Sequence, residues 1–317
     1  MIALSFASQC NRFAGQVGWV VGRGPTRFRY EALGQAEGPI FFINDAVGQE
    51  IWTTERQSTF FFAHDAVMEC WLFSRRLKSI PVLIADQPLT GPDENRKKGL
   101  ISGIDDSRLA ALPRAIFYRK NGPFEKASLL SRGREELRNS GQLLTRSGTI
   151  HPLLHFAWYV GCSKLNLVGC DGFPDTGYDG RLDNRSQSRQ QSAMTIRCDQ
   201  EEMLRQLALP AEYLGTIPHR IEMMLELKVS RESHGGFLEW ARALIALYRK
   251  HGCGELTARD LITPSGGYWI KGVWPGMEAC VECLISPEFK HMTRDALAPF
   301  VSDPRESLQV AYRAVRI

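Results

Sequence analysis

Seven short apolar runs punctuate the first two-thirds of the chain. They are VGWVVG (17–22), PIFFIN (39–44), STFFFA (58–63), PVLIA (81–85), the stretch 112–118 ending in IFY, KLNLVG (164–169) and AEYL (211–214). Their apolar residues are nearly continuous rather than alternating, the pattern of strands covered on both faces in a parallel sheet. HPLLHFAWYVGC (151–162) has helical length and apolar density, and it leads into KLNLVG. This strand–helix–strand rhythm predicts an α/β fold: a doubly wound, mostly parallel, Rossmann-like sheet. Ligands of such sheets gather outside the C-terminal ends of the strands.

Two polar stretches interrupt the rhythm, residues 89–107 and 171–192. The second is too long for a plain connector and reads as a functional loop. Beyond residue 232 the pattern changes. GFLEWARALIALYRKH (236–251) is amphipathic, and 257–262, 277–285 and 304–315 carry helical patterns. The expected division is a ligand-binding α/β domain over 1–230 and a small helical C-terminal domain over 231–317, binding an acceptor or partner. Within the latter, GGYWIKGVWPG (266–276) reads as a β-wing or an aromatic-rich loop.

Composition narrows the class only a little. Of 317 residues, 44% are apolar and 23% charged, ordinary for a globular chain. A net charge of +4 is too small to argue for nucleic acid by itself. Eight scattered cysteines do not form a secreted disulfide framework. The first residues, MIALSFASQCNRFAGQ, lack a basic signal-peptide start, and no run reaches the roughly 18 apolar residues of a membrane span. A cytoplasmic protein without a membrane span is expected.

Candidate chemistry sits where the runs end. Gly22-Arg23-Gly24-Pro25-Thr26 follows the first run. Glycine permits close backbone approach, and the N–H groups of such a turn can nest an anion; an ordinary turn is the plainer reading. Asn44 and Asp45 close the second run, and His64 and Asp65 the third. Asn both donates and accepts, His and Asp can move protons, and each is also a helix cap. Ser147 and Gly148 lie just before the apolar helix, where N–H groups, a hydroxyl and the positive helix end suit an anion. Asp171 follows the run KLNLVG.

In this order, G-x-G-P-T, Asn44, and Ser147-Gly148 followed by Gly161, Leu167, Gly169 and Asp171 resemble bacterial sialyltransferases of glycosyltransferase family 42. The arrangement is also similar to archaeal 6-hydroxymethylpterin pyrophosphokinase-like proteins. The resemblance covers about residues 15–215. It implies that Gly22, Gly24, Thr26 and Asn44 hold a nucleotide, that Ser147 and Gly148 border the donor, and that His64 falls near a donor contact. This chain departs from the pattern in three places. Arg23 stands where that family usually has Asn. Gln190–Met194 has no His where the family's general base stands. Phe173 replaces an expected Tyr, with Tyr178 close by. His64, Asp65 and Asp171 are the remaining candidates for the catalytic base.

Two features lie outside this set. Cys280-Val281-Glu282-Cys283, with Cys253 and His251, offers zinc-type ligands at a spacing no zinc site requires; buried helix cysteines are the plainer reading. Tyr268, Trp269 and Trp274 around Lys271 suit stacking on a base or sugar, or packing within the fold.

The expected function is transfer of a sugar from a nucleotide-sugar donor to an acceptor hydroxyl on a glycan or nucleic acid, with no metal required. Two alternatives stand beside it: Mg²⁺-dependent phosphoryl or pyrophosphoryl transfer, and a catalytically inactive, nucleotide-responsive binding module.

Overall fold

The structure is a computed structural model that describes residues 5–22, 36–43, 59–63, 82–86, 115–120, 132–144, 150–170, 187–214, 219–229, 234–261, 267–300 and 308–316. The chain divides into two compact units. The first comprises Met1–Asp171 and Glu202–Thr216, the second Gly172–Glu201 and Ile217–Ile317.

The first unit is built on an eight-stranded sheet. Its strands are β1 (Val17–Val21), β2 (Ile40–Ile43), β3 (Thr59–Ala63), β4 (Val82–Asp86), β5 (Ala115–Lys120), β6 (Gln142–Leu143), β7 (Lys164–Val168) and β8 (Ala211–Leu214). Their order across the sheet is β6-β5-β4-β3-β2-β1-β7-β8, and all seven neighbouring pairs run parallel. The chain therefore steps outward from β1 to β6, then returns to the other side of β1 for β7 and β8. That reversal places β1 between β2 and β7, where the strand order changes direction.

Continuous burial explains the continuous apolar runs. All four residues of β2 are buried, as are Val20 and Val21 of β1. The helix α1 (Arg134–Ser140) precedes β6, and α2 (Ile150–Tyr159) leads toward β7. Nine of the ten α2 residues are buried, so a helix apolar on every side is packed on every side. Pro152 is tolerated because it lies in the first turn, where no helical N–H partner is lost. Phe156 of α2 meets Phe41 of β2 edge-to-face at 6.2 Å and Phe60 of β3 at 5.6 Å. Tyr159 stacks on Phe6 at 4.5 Å, and its hydroxyl donates to the Phe6 carbonyl.

The second unit is not the small helical domain that the sequence suggested. Its strands β9 (His219–Lys228), β10 (Glu255–Leu261), β11 (Gly267–Trp274) and β12 (Leu308–Arg316) form a sheet of order β10-β11-β9-β12, antiparallel throughout. The helix α3 (Gln187–Gln206) precedes β8; α4 (His234–Lys250) joins β9 to β10, and α5 (Met277–Ile285) and α6 (Pro287–Arg294) lie between β11 and β12. This is a ferredoxin-like βαββαβ arrangement. Of residues 257–262 and 304–315, expected as helices, 257–261 belong to the edge strand β10 and 308–315 to the edge strand β12, and the others lie outside the described residues. The expected boundary at 230/231 falls too late, because β9 is an inner strand of this second sheet. Of the expected long loop over 171–192, Gln187–Ser192 belongs to α3 instead, and 171–186 lie outside the described residues.

One face of β9 and β11 meets the helices. Ile221, Met223, Leu225 and Leu227 are buried on β9, and Ile270 and Trp274 on β11, together with Phe237, Trp240, Leu244 and Tyr248 of α4 and Cys280, Val281 and Cys283 of α5. Trp240 Nε1–H donates to the Met292 carbonyl at 2.9 Å. Ser286 joins α5 to α6: its hydroxyl donates to the Cys283 carbonyl and accepts from the Phe289 N–H, capping the helix that Pro287 starts.

Candidate functional site

Because every pair in the first sheet is parallel, the C-terminal ends of its strands share one edge. Val21 is opposite both Phe42 and Val168, and Ile43 is opposite Phe62. Along that edge β1 and β7 are neighbours, yet the chain runs from β1 toward β2 and from β7 toward β8, on opposite sides. Such a switch point leaves a crevice at the strand ends in parallel α/β sheets.

The backbone at this junction is bare. Gly22 N–H donates to the Val168 carbonyl at 2.8 Å. A Cβ on Gly22 would fall 2.3 Å from the Gly169 carbonyl oxygen and 3.0 Å from Cys170 Sγ. Gly169 has φ +64°, the left-handed region that favours glycine. Cys170 is buried beside them, its thiol 3.5 Å from the Val168 carbonyl oxygen.

Of the residues singled out in the sequence, Gly22 lies in this junction. Arg23, Gly24, Pro25 and Thr26 follow it in the chain. Asn44 and Asp45 follow the last residue of β2, His64 and Asp65 that of β3, and Asp171 follows Cys170. Ser147 and Gly148 precede α2. All of these candidates except Gly22, and Tyr178 with them, lie outside the described residues.

Sequence reasoning passed over the histidines of α2. His151 and His155 stand four apart on this helix, both with 0% exposure. His155 Nδ1 accepts the Leu144 N–H at 2.9 Å, across the interval between β6 and α2. Burial pushes its pKa down to about 3, so the ring is neutral. With Nδ1 accepting, the proton sits on Nε2, which has no hydrogen-bond partner among the described residues. The available signal was an i, i+4 histidine pair inside an otherwise apolar helix.

In the second unit the aromatic stretch is a strand, not a loop or β-wing. Strand alternation separates its members. Trp274 is fully buried on the helix-covered face, edge-to-face with Tyr248 at 4.9 Å, and Tyr268 packs on Phe237 at 4.5 Å. Trp269 and Lys271 belong to the opposite face, where Lys271 pairs with Glu222 at 3.1 Å. The four do not form one stacking platform.

The cysteines of this unit are core residues. Cys253, Cys280 and Cys283 are buried. Desolvation raises the Cys280 thiol well above its ordinary range and pushes Cys283 up to about 12. Cys253 keeps its proton, with the thiol near the Glu255 and Val273 carbonyls. Among the described residues no group of three or more His, Cys, Asp or Glu is arranged to hold a metal ion. Nor, among them, is any helix long and apolar enough to cross a membrane.

The architecture is thus mixed α/β, with a parallel sheet whose switch point lies between β1 and β7. No protein-family model matches the chain, and no curated protein sequence matches it. Solved structures give partial likenesses. Protein SO0527 from Shewanella oneidensis is 14% identical, with 31% of this chain and 94% of that one covered at a TM-score of 0.27. A conserved protein from Methanosarcina mazei Go1 is 14% identical over 31% and 94%, at 0.28. A putative antibiotic biosynthesis monooxygenase from Caulobacter crescentus CB15 is 19% identical over 31% and 90%, at 0.27.

Proposed function

We propose that the first unit is a doubly wound, Rossmann-like domain that binds a nucleotide-sugar at the C-terminal edge of its sheet and transfers the sugar to an acceptor hydroxyl. The observation that carries this reading is the reversal of strand order at β1/β7, where Gly22 abuts Gly169 without side chains. A crevice opens at such a reversal, and bare backbone lets a diphosphate approach N–H groups closely. The Gly22–Thr26 and Ser147–Gly148 segments take the phosphates, with Arg23 as a counter-charge, and Asn44 reads the base or ribose. The acceptor hydroxyl gives its proton to His64, Asp65 or Asp171. Its oxygen then attacks the anomeric carbon, and the nucleoside phosphate leaves with the electron pair of the broken bond.

A second reading, a nucleotide-responsive binding module without turnover, draws on a different observation. The stretch Gln190–Met194, where the similar family carries its base, has no histidine and lies within α3.

A thermal-shift screen with CDP, UDP, GDP, ADP, TDP, CMP and their sugar conjugates, with and without Mg²⁺, tests both. A ligand at about 100 times its Kd stabilises by roughly 2.7 kcal/mol. The proposal expects a shift with one nucleotide family, lost in Asn44→Ala, and release of free nucleotide from the conjugate. Binding without release selects the module. A strict Mg²⁺ requirement with phosphate release selects phosphoryl transfer. No shift with any of them overturns the nucleotide site.

A further inference from the structure

We propose that Cys198 of α3 and Cys280 of α5 are an oxidisable thiol pair of the second unit, which a peroxide converts into a disulfide between the two helices.

Four thiols gather at one core. Cys253, Cys280 and Cys283 are buried among its apolar side chains, and Cys198 packs against the same core from α3. Helical spacing aims the pair at it. Cys198 stands one turn beyond Met194, which is itself buried in that core, and residues four apart share a helix face. Cys280 shares the buried stripe of α5 with Cys283 and Leu284, at i, i+3 and i+4. Burial raises the Cys280 thiol well above its ordinary range, and the thiols of Cys198, Cys283 and Cys253 add to that rise, in that order. Cys198 is thus the foremost of its three sulfur neighbours, ahead even of the one on the same helix.

Exposure assigns the roles. Cys280 and Cys283 have 0% exposure. Cys253 is buried too, with its thiol held beside the Glu255 and Val273 carbonyls at 3.3 Å and 3.5 Å. Cys198 is half-buried, so it is the member of the four that an oxidant meets first. Its thiolate attacks one oxygen of the peroxide, and the O–O bond breaks. The other oxygen leaves as water or an alcohol; the peroxide is reduced and Cys198 is oxidised to a sulfenic acid. The Cys280 sulfur then attacks the Cys198 sulfur. The S–O bond breaks, and the departing hydroxide takes the Cys280 proton to become water. Cys280 never has to meet the oxidant itself, which agrees with its burial.

The test treats the full-length protein with a small excess of hydrogen peroxide. Remaining thiols are then alkylated under denaturing conditions, and the peptides are mapped by mass spectrometry without reduction. The expected main product is a linked Cys198–Cys280 peptide, lighter by two hydrogens than the sum of its parts and split by dithiothreitol. Cys253→Ala leaves both partners in place and should still form it. In Cys280→Ala nothing consumes the sulfenic acid, so dimedone should label Cys198 about tenfold more than in wild type. Linkage of Cys280 to Cys253 or Cys283 instead would overturn the pair. So would Cys198 left as a thiol, or carried on to a sulfinic acid without linkage. Equal dimedone labelling in wild type and Cys280→Ala would also overturn it. Should Cys280→Ala fail to fold, the linkage in wild type still decides the matter.

Discussion

The carbonyl oxygen of Gly169 lies 2.3 Å from the point that a Cβ on Gly22 would occupy. The ends of β1 and β7 therefore meet closely through backbone, with the Cys170 thiol beside them, where the first sheet reverses its order. Any side chain on Gly22 must push that junction apart, because the nearest obstacle is main chain rather than the tip of a flexible group.

Gly22→Ala is accordingly expected to destabilise the protein by about 1–3 kcal/mol, the range for overfilling a packed site. Urea unfolding of the two proteins measures it. A change within about 0.5 kcal/mol, the size of an ordinary surface substitution, would mean the strand ends can separate freely.

Acid should act through His155. The folded chain binds a proton there only near pH 3, against an ordinary value of 6.5. Between those limits the unfolded chain holds the extra proton, so stability falls as pH drops. Above about 6.5 the residue contributes no slope. The loss approaches about 1.4 kcal/mol per pH unit at most. Urea midpoints for wild type and His155→Asn between about pH 7 and pH 4.5 test this. Wild type should lose more stability than the variant over that interval, and parallel curves would exclude the histidine as the cause.

Trp274 anchors the second unit's core. It is fully buried against Tyr248, and its ring would lie 2.7 Å from a Cβ on Gly272. Trp274→Ala should cost about 3–5 kcal/mol, as large-to-small changes at buried aromatics do. By contrast, the Lys271–Glu222 pair on the other face is about one-third exposed. Lys271→Ala should cost no more than about 1 kcal/mol. Chemical unfolding of both variants gives the comparison, and equal costs would contradict the assignment of faces.

The thiols should divide by exposure. Cys162, Cys280 and Cys283 are buried, with burial raising each thiol above its ordinary range. Iodoacetamide near neutral pH should leave them unmodified in the native protein while it labels the half-exposed Cys10. Mass spectrometry of the alkylated peptides reads this directly. Rapid native labelling of Cys280 or Cys283 would show that the α5 core opens.

The centre of the first sheet was legible where its strands are buried on both faces. IFFI of β2 is buried at every position, so its apolar run carries no competing helical period. AEYL coincides with β8 from end to end. The second sheet was harder. β10 (ELTARDL) and β12 (LQVAYRAVR) mix Leu, Ala, Glu and Arg, residues at home in helices, and both are edge strands whose identity comes from pairing with β11 and β9. In β9, Ile221, Met223, Leu225 and Leu227 do alternate with Glu222, Met224 and Glu226. That period of two was written in RIEMMLEL, beneath good helix formers. At the candidate site the sequence showed where polar residues follow strands, but not that Gly22 meets Gly169 or that His155 reaches Leu144. Each relationship has a backbone group as one partner, the Gly169 carbonyl or the Leu144 N–H, and a backbone partner leaves no trace in residue type.

The two units are interleaved along the chain: residues 172–201 belong to the second, 202–216 return to the first, and 217–317 complete the second. For a chain emerging from the ribosome, this sets an order of events. β1 is made early but cannot gain its partner on one side until Lys164–Val168 has been synthesised. The first sheet is not whole until Leu214 has followed, by which time the early part of α3, with Met194, is already waiting for the strands of the second core. Neither unit can be cut out as one uninterrupted fragment, so a clone ending at residue 171 would leave β7 without its neighbour β8.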